Sequence, residues 1–240
     1  MIRFIAIATA ALALSACNFG DRDEQRDSGT PVNRAYAVGA FDKIEVAGPY
    51  EVKVTTGGKP GVSANGGDKL LDETDVVVEG GTLKIRAKRH KGIRFNWGRG
   101  GTAQFTVTTA MLQSAEIAGS GGISVDKVTG DFKGEVAGSG NLTVAAVNGG
   151  KSEFAIAGSG KITAAGKAQS ATMEIAGSGD IDAGALAVTD ADVSIAGSGN
   201  VRANASGNAK VEIMGSGNVT VTGGAKCAID KAGSGNVTCR

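Results

Sequence analysis

What this chain lacks narrows its reading first. Only 4% of its 240 residues are aromatic, whereas 39 are glycine. Glycine weakens helices and sheet interiors alike, which argues against an ordinary helix-rich enzyme domain. There is one histidine, His90, so no second imidazole can join it as a metal ligand. The net charge is +1, and the molecule as a whole does not advertise a nucleic-acid or membrane partner. The glycine-rich stretches lack the Gly-Lys-Ser/Thr ending of a phosphate loop. Gly-x-Ser-x-Gly is also missing, and one histidine could not serve as base for many serines. No cofactor and no catalytic residue is therefore expected.

The apolar run at 4–14 is too short to span a bilayer as a mature helix. It follows Arg3 and leads into Leu14, Ser15, Ala16 and Cys17, which resembles a bacterial lipobox. The reading is a lipoprotein signal over 1–16 with Cys17 lipidated, against an ordinary secretory signal that happens to contain a cysteine. Asn18 after the cysteine implies, by that resemblance, anchoring at the outer membrane. A polar, charged stretch without apolar periodicity follows, so 17–36 is expected to be a flexible tether. The folded body is placed at 37–240, with irregular coils over 37–110 and regular repeats over 111–240.

The regular part is written in one tetrapeptide. Ala-Gly-Ser-Gly has its first glycine at 119, 138, 158, 177, 197 and 233, with Met-Gly-Ser-Gly at 215. A period of 18–20 residues cannot enclose a core in each unit, and it buries apolar groups only by stacking on its neighbours. Around each motif, apolar residues alternate with polar ones. Ile117, Val136, Ile156, Ile175, Ile195 and Ile213 stand two before the glycine; Ile123, Leu142, Ile162, Ile181, Val201, Val219 and Val237 stand four after it. Such alternation marks strands with one buried face.

Outward columns should then match in charge from coil to coil. Lys133 precedes Glu153, Asp192 precedes Lys210, Lys161 precedes Asp180, and Asp182 precedes Arg202. Glu116 over Glu135 and Glu212 over Asp230 break the pattern. Asn200, Asn218 and Asn236 form an amide column. The motif serines form another, read as a hydroxyl ladder satisfying turn backbone in preference to a ligand-binding stripe. Parallel strands in one sheet cross over right-handed. The expected fold is all-β, a single right-handed parallel β-helix of about ten coils, three of them irregular and N-terminal.

The Gly-Ser-Gly-Asn-hydrophobic signature at 197–201, 215–219 and 233–237, with the opening run at 41–52 and Gly80-Gly81-Thr82-Leu83-Lys84-Ile85, resembles the head-GIN-domain family of bacterial envelope proteins. The resemblance runs from about Ala37 onward and implies an adhesin-like β-solenoid. It brings no catalytic residues with it.

One stretch breaks character. Lys88, Arg89, His90, Lys91, Arg94 and Arg99 gather around Phe95 and the only tryptophan, Trp97. A basic-aromatic segment suits an acidic glycan, a lipid headgroup or another envelope protein; the competing reading is a solvated insertion covering the end of the core. Nucleic acid is not expected in the envelope. Cys227 and Cys239 both fall in inward columns of the last coil, so a disulfide is expected there, against two buried thiols. Lys231 sits in the isoleucine column, fitting an end where its ammonium reaches water. The expected job is non-enzymatic: adhesion, scaffolding or ligand binding. The enzymatic alternative is a lyase or hydrolase for acidic glycans built on Asp180 and Asp182. Pairing of two copies is left open.

Overall fold

The computed structural model describes residues 28–88 and 102–240. Alternation becomes strand wherever it is written. In the regular region these are β8 (Ser114–Gly119), β9 (Gly122–Val125), β10 (Val128–Thr129), β11 (Phe132–Gly138), β12 (Asn141–Asn148), β13 (Lys151–Gly158), β14 (Lys161–Lys167), β15 (Ser170–Gly177), β16 (Asp180–Gly197), β17 (Asn200–Gly215), β18 (Asn218–Thr222), β19 (Lys226–Ala232) and β20 (Asn236–Cys239). Strands before the Gly-Ser-Gly corner stack in parallel as β8-β11-β13-β15-β16-β17-β19, and those after it as β9-β12-β14-β16-β17-β18-β20. Six of the seven motif glycines align in one register row: Gly119 with Gly138, then Gly158, Gly177, Gly197 and Gly215. The result is a stacked parallel β-solenoid of about seven turns, roughly 19 residues each.

The corner explains why two glycines flank a free position. At Gly138, φ is +125°, and a Cβ there would lie 2.5 Å from the Gly119 carbonyl oxygen of the turn before. At Gly140 it would lie 2.5 Å from the Gly121 oxygen and 2.6 Å from Ile117 Cγ2. The close approach lets the Ser139 N–H donate to Gly119 O at 2.9 Å and the Asn141 N–H to Gly121 O at 3.1 Å. The same contacts recur up the stack. Glycine is required twice because neighbouring turns touch through backbone, and the exposed serine between them is not so constrained.

Inside, the alternating residues merge into one continuous core. Phe132 packs near Phe154 at 6.3 Å between ring centroids, with Val136, Ile156, Ile175 and Ile195 stacked behind them. Burying each such side chain stabilises by roughly 1.5–3 kcal/mol, and no turn could do this alone. Ser152 takes a place in an inward column otherwise held by Phe132, Ala171, Ala191 and Ala209. Its hydroxyl is buried without a hydrogen-bond partner among the described residues.

The first third departs from the expected sequential stack. Its elements are β1 (Pro31–Tyr36), β2 (Lys43–Ala47), β3 (Glu51–Thr56), β4 (Gly61–Gly67), α1 (Asp68–Asp72), β5 (Thr74–Glu79), β6 (Thr82–Ala87) and β7 (Gln104–Thr109). Strand β2 lies between β6 and β8, and β3 lies between β7 and β9. The first turn of the chain is thus second in the stack, inserted beside β8–β9, and 82–109 is laid on its other side. Antiparallel pairs, β5 with β6, β4 with β7 and β1 with β4, finish this end. Antiparallel strands do not continue the parallel ladder, so these residues cap the solenoid instead of adding three coils. The expected ten coils are therefore too many.

Two further differences follow. Pro31–Tyr36 is strand, not tether: β1 pairs with β4, and Arg34 meets Asp72 at 2.7 Å. Ordered structure therefore begins inside the segment assigned to the leash. At the corner of β2–β3, Gly48-Pro49-Tyr50 replaces Gly-Ser-Gly. Gly48 keeps the positive φ of +137°, while Tyr50 fills the third position with a ring that stands edge-on to Phe105 at 5.5 Å. Its hydroxyl meets Thr74 Oγ1 at 3.0 Å, and burial pushes its pKa up to about 12.

Candidate functional site

Three surfaces were singled out by sequence, and the solenoid positions each differently. The first is the basic-aromatic segment. Arg89, His90, Lys91, Arg94, Phe95, Trp97 and Arg99 lie outside the described residues, as does Cys17; the ends of the segment do not. Arg86 aligns with Ala47, and Gln104 with Glu51. Between those aligned pairs β2–β3 spends only Gly48-Pro49-Tyr50, whereas β6–β7 spends residues 87–103. Every other described turn closes this corner with three residues, and the strands flanking 87–103 keep register. Its root is electrostatically settled: Arg86 reaches Asp75 at 3.5 Å and Glu79 at 3.3 Å, and the Lys88 ammonium donates to the Asp72 carbonyl. Lys84 likewise reaches Glu79 at 3.2 Å and Glu45 at 3.7 Å.

The second surface is the serine column. The side chains of Ser120, Ser139, Ser159, Ser178, Ser198, Ser216 and Ser234 are exposed. The ladder beneath them is made by serine backbone N–H groups on glycine carbonyls, not by hydroxyls as the sequence reading had it.

The third is the charged face after the corner. Asp180 lies beside Lys161, and Asp182 beside Arg202, in register. Arg202 donates to Asp182 at 3.2 Å, and Asn200 Nδ2 donates to Asp180 at 2.8 Å. The other Asp182 oxygen accepts the Gly184 N–H at 3.3 Å. Both carboxylates are thereby held by structural partners within a shallow groove of about 280 Å³. The amide column is present, with Asn218 Nδ2 donating to Asn200 Oδ1 at 3.0 Å. The other two matched cations turn along their own strands: Lys133 to Glu135 at 2.9 Å and Lys210 to Glu212 at 2.6 Å. A residue two along on the same face is as reachable for a long side chain as one across the sheet, so register alone does not choose the partner.

Sequence reasoning missed a fourth surface, the largest concavity among those described. A groove of about 520 Å³ runs along the solenoid axis at the start of the strands that precede the corner. One side is the register row Lys43, Ser114, Lys133 and Glu153, on β2, β8, β11 and β13. The lining also includes Met111, Gln113, Thr129, Asp131 and Lys151. The Asp131 carboxylate accepts the Lys151 backbone N–H at 2.8 Å. Lys133 is held above its usual pKa by the hydrogen bond and charge of Glu135. Lys43 enters the groove only because β2 returns to lie beside β8. The one signal available was the likeness of Lys43-Ile-Glu-Val-Ala-Gly to Ser114-Ala-Glu-Ile-Ala-Gly.

Beside the groove, Glu45, Glu116 and Glu135 stand in one column on adjacent strands. Burial first, then the neighbouring carboxylates, raises the Glu116 pKa above 4.5.

At the far end Cys227 and Cys239 are joined, with Cα atoms 6.6 Å apart. The disulfide closes the last turn as expected. The cysteines are not buried, however, because no described turn covers them: Cys227 is half-buried and Cys239 exposed. Lys231 turns its ammonium to the Gly235 carbonyl at 2.8 Å.

Comparison with known proteins agrees with this architecture. Residues 40–225 match the family described as "Putative auto-transporter adhesin, head GIN domain". A crystal structure from Bacteroides fragilis described as a "putative adhesin" superposes with a TM-score of 0.79 at 24% identity, covering 88% of this chain and 97% of that one. One from Parabacteroides distasonis, described as a "Putative lipid binding protein", gives 0.72 at 26% identity, covering 89% and 98%. A "putative adhesin" from Parabacteroides merdae gives 0.67 at 20%, covering 89% and 98%. Among curated proteins no sequence matches.

Proposed function

The chain belongs to the head-GIN-domain family of adhesin-like proteins, and from that premise we propose that it is a non-enzymatic envelope lipoprotein that presents ligand-binding surfaces on a rigid solenoid. Residues 1–16 direct export, Cys17 carries the lipid at the outer membrane, and the polar residues after it form the leash. The contact is the segment carrying Arg89, His90, Lys91, Arg94, Phe95, Trp97 and Arg99. The observation that carries this reading is the long connection between Arg86 and Gln104, whose flanks remain in register with Ala47 and Glu51. A stack that tolerates such an insertion without losing pairing holds it on a stiff base. Conserving that base while varying one loop is how rigid scaffolds carry recognition. The likeness to a structure described as lipid-binding supports a binding role. Asp180 and Asp182, each occupied by structural partners, give the glycan-cleaving alternative no support.

The test is a pull-down from envelope extracts with the soluble body, wild type against Arg94→Ala/Trp97→Ala/Arg99→Ala. The reading expects capture by the wild type and loss in the triple variant with thermal stability nearly intact. Unchanged capture removes the segment from consideration. Labelling with radioactive fatty acid should mark the full chain and fail in Cys17→Ala, which should leave the membrane fraction.

A further inference from the structure

We propose that the groove between Lys43 and Lys151 binds a carboxylate-bearing sugar unit of an acidic glycan. The inference rests on the ligand-presenting reading above and adds a second contact, at the start of the strands that precede the corner. At about 520 Å³, the groove falls in the range of small-ligand sites. It crosses four adjacent strands, β2, β8, β11 and β13, which is three strand spacings or roughly 14 Å, and so suits a short oligomer better than a lone ion.

The lining supplies what an acidic sugar needs. Lys43 and Lys151 have no ion-pair partner among the described residues, whereas Lys133 is engaged by Glu135 at 2.9 Å. Asp131 and Glu153 share the lining, and Lys43 and Lys151, engaged by neither, can turn to the carboxylate of a bound sugar. Sugar hydroxyls both donate and accept, and Ser114, Thr129 and Asp131 offer both kinds of group. Met111, half exposed at 50%, gives a polarisable surface for the apolar face of a ring. The alternatives fit less well. No exposed aromatic ring lines the groove for stacking a base, since Phe132 is buried. One methionine is also too little apolar surface to seat an acyl chain.

The probe is trigalacturonate, titrated calorimetrically into the soluble body, with its carboxyl-reduced neutral counterpart and inorganic phosphate as comparisons. The groove reading expects saturable binding of trigalacturonate that weakens with salt. Neutral oligomer and phosphate should each bind at least tenfold more weakly. Lys43→Ala/Lys151→Ala should lose at least tenfold with an unchanged melting temperature, because both residues are exposed. Lys167→Ala, outside the groove lining, and the Arg94/Trp97/Arg99 variant should bind as wild type does. No binding by the wild type, equal binding of the neutral oligomer or phosphate, or wild-type affinity in the double lysine variant would each overturn the assignment. The two readings fail separately: retained envelope capture without trigalacturonate binding removes only the groove. Loss of capture in the Arg94/Trp97/Arg99 variant alone identifies the inserted segment as the contact.

Discussion

Replacing Gly138 by alanine attacks the contact on which the stack is built. Its φ of +125° is closed to L-residues, and its new Cβ would stand 2.5 Å from Gly119 O. Holding an alanine in that region costs roughly 1–3 kcal/mol. Reaching ordinary contact at 3.4 Å requires the turns to part by about 0.9 Å. The Ser139 N–H to Gly119 O hydrogen bond, now 2.9 Å, would then exceed hydrogen-bonding distance, a further loss of about 1 kcal/mol. Stiffening the unfolded chain returns about 0.4–1 kcal/mol. The net expectation is destabilisation of about 2 kcal/mol, read by urea unfolding under far-ultraviolet circular dichroism. Two controls fix the cause. Ser139→Ala, between the glycines and exposed, should change stability by less than about 0.5 kcal/mol. Gly39→Ala, where no atom lies within 4 Å of a new Cβ, should be equally mild. If Gly138→Ala unfolds with the wild type, the argument that backbone contact dictates the motif is wrong.

Four further outcomes are expected. Glu116 has a folded-state pKa raised above 4.5 by burial and by Glu45 and Glu135, so its ionisation opposes folding. That cost is absent below 4.5, grows as pH rises through the raised value and is complete above it. Glu116→Gln should therefore raise the melting temperature at pH 7, with the gain vanishing below about pH 4; a gain independent of pH would contradict this. Ser152→Ala should stabilise by about 1 kcal/mol, because it removes a buried hydroxyl lacking a partner in a column that already accepts alanine; thermal melts decide it. Cys227→Ser, or reduction of the wild type, should cost on the order of 3 kcal/mol in the chain-entropy picture, with amide exchange rising first in β19 and β20 as befits a stack of nearest neighbours. Lys231→Ile restores the inward apolar column at an edge that an inward charge keeps from pairing, and light scattering should then detect concentration-dependent association.

The parts of the molecule differ in how readily their sequence discloses them. From Ser114 onward the register is written covalently: a period of 18–20 residues with glycine at fixed places leaves one way to superpose the turns. The columns at Asn200 and Asn218, or at Asp182 and Arg202, could be read without coordinates. Before Ser114 the period lapses. Whether β2 lies beside β6, β8 or both is then settled by which faces remain to be covered, a tertiary choice with no local signal. Strand β1 was missed for a related reason, since its half-buried run, Pro31–Tyr36, has no large apolar residue but Val32 and Tyr36 and looks like linker. Ion-pair partners were legible only as neighbours, because Lys133 and Lys210 can reach along a strand as easily as across it. The inserted segment announced itself by composition. The groove could not, because its residues come together through the return of β2.

That return is the claim on which the placement of both candidate contacts depends, and one crosslink tests it. Ala47 and Ala118 are register neighbours on β2 and β8, roughly 4.8 Å apart as adjacent strands. In a stack that followed chain order, the 82–109 level would separate them, at roughly 10 Å. With the native disulfide kept oxidised, Ala47→Cys/Ala118→Cys should form an intramolecular bridge on mild oxidation, within the Cα range of a disulfide, identified by peptide mass. Failure of that pair to join, with Arg86→Cys/Ala118→Cys joining in its place, would contradict the structure described.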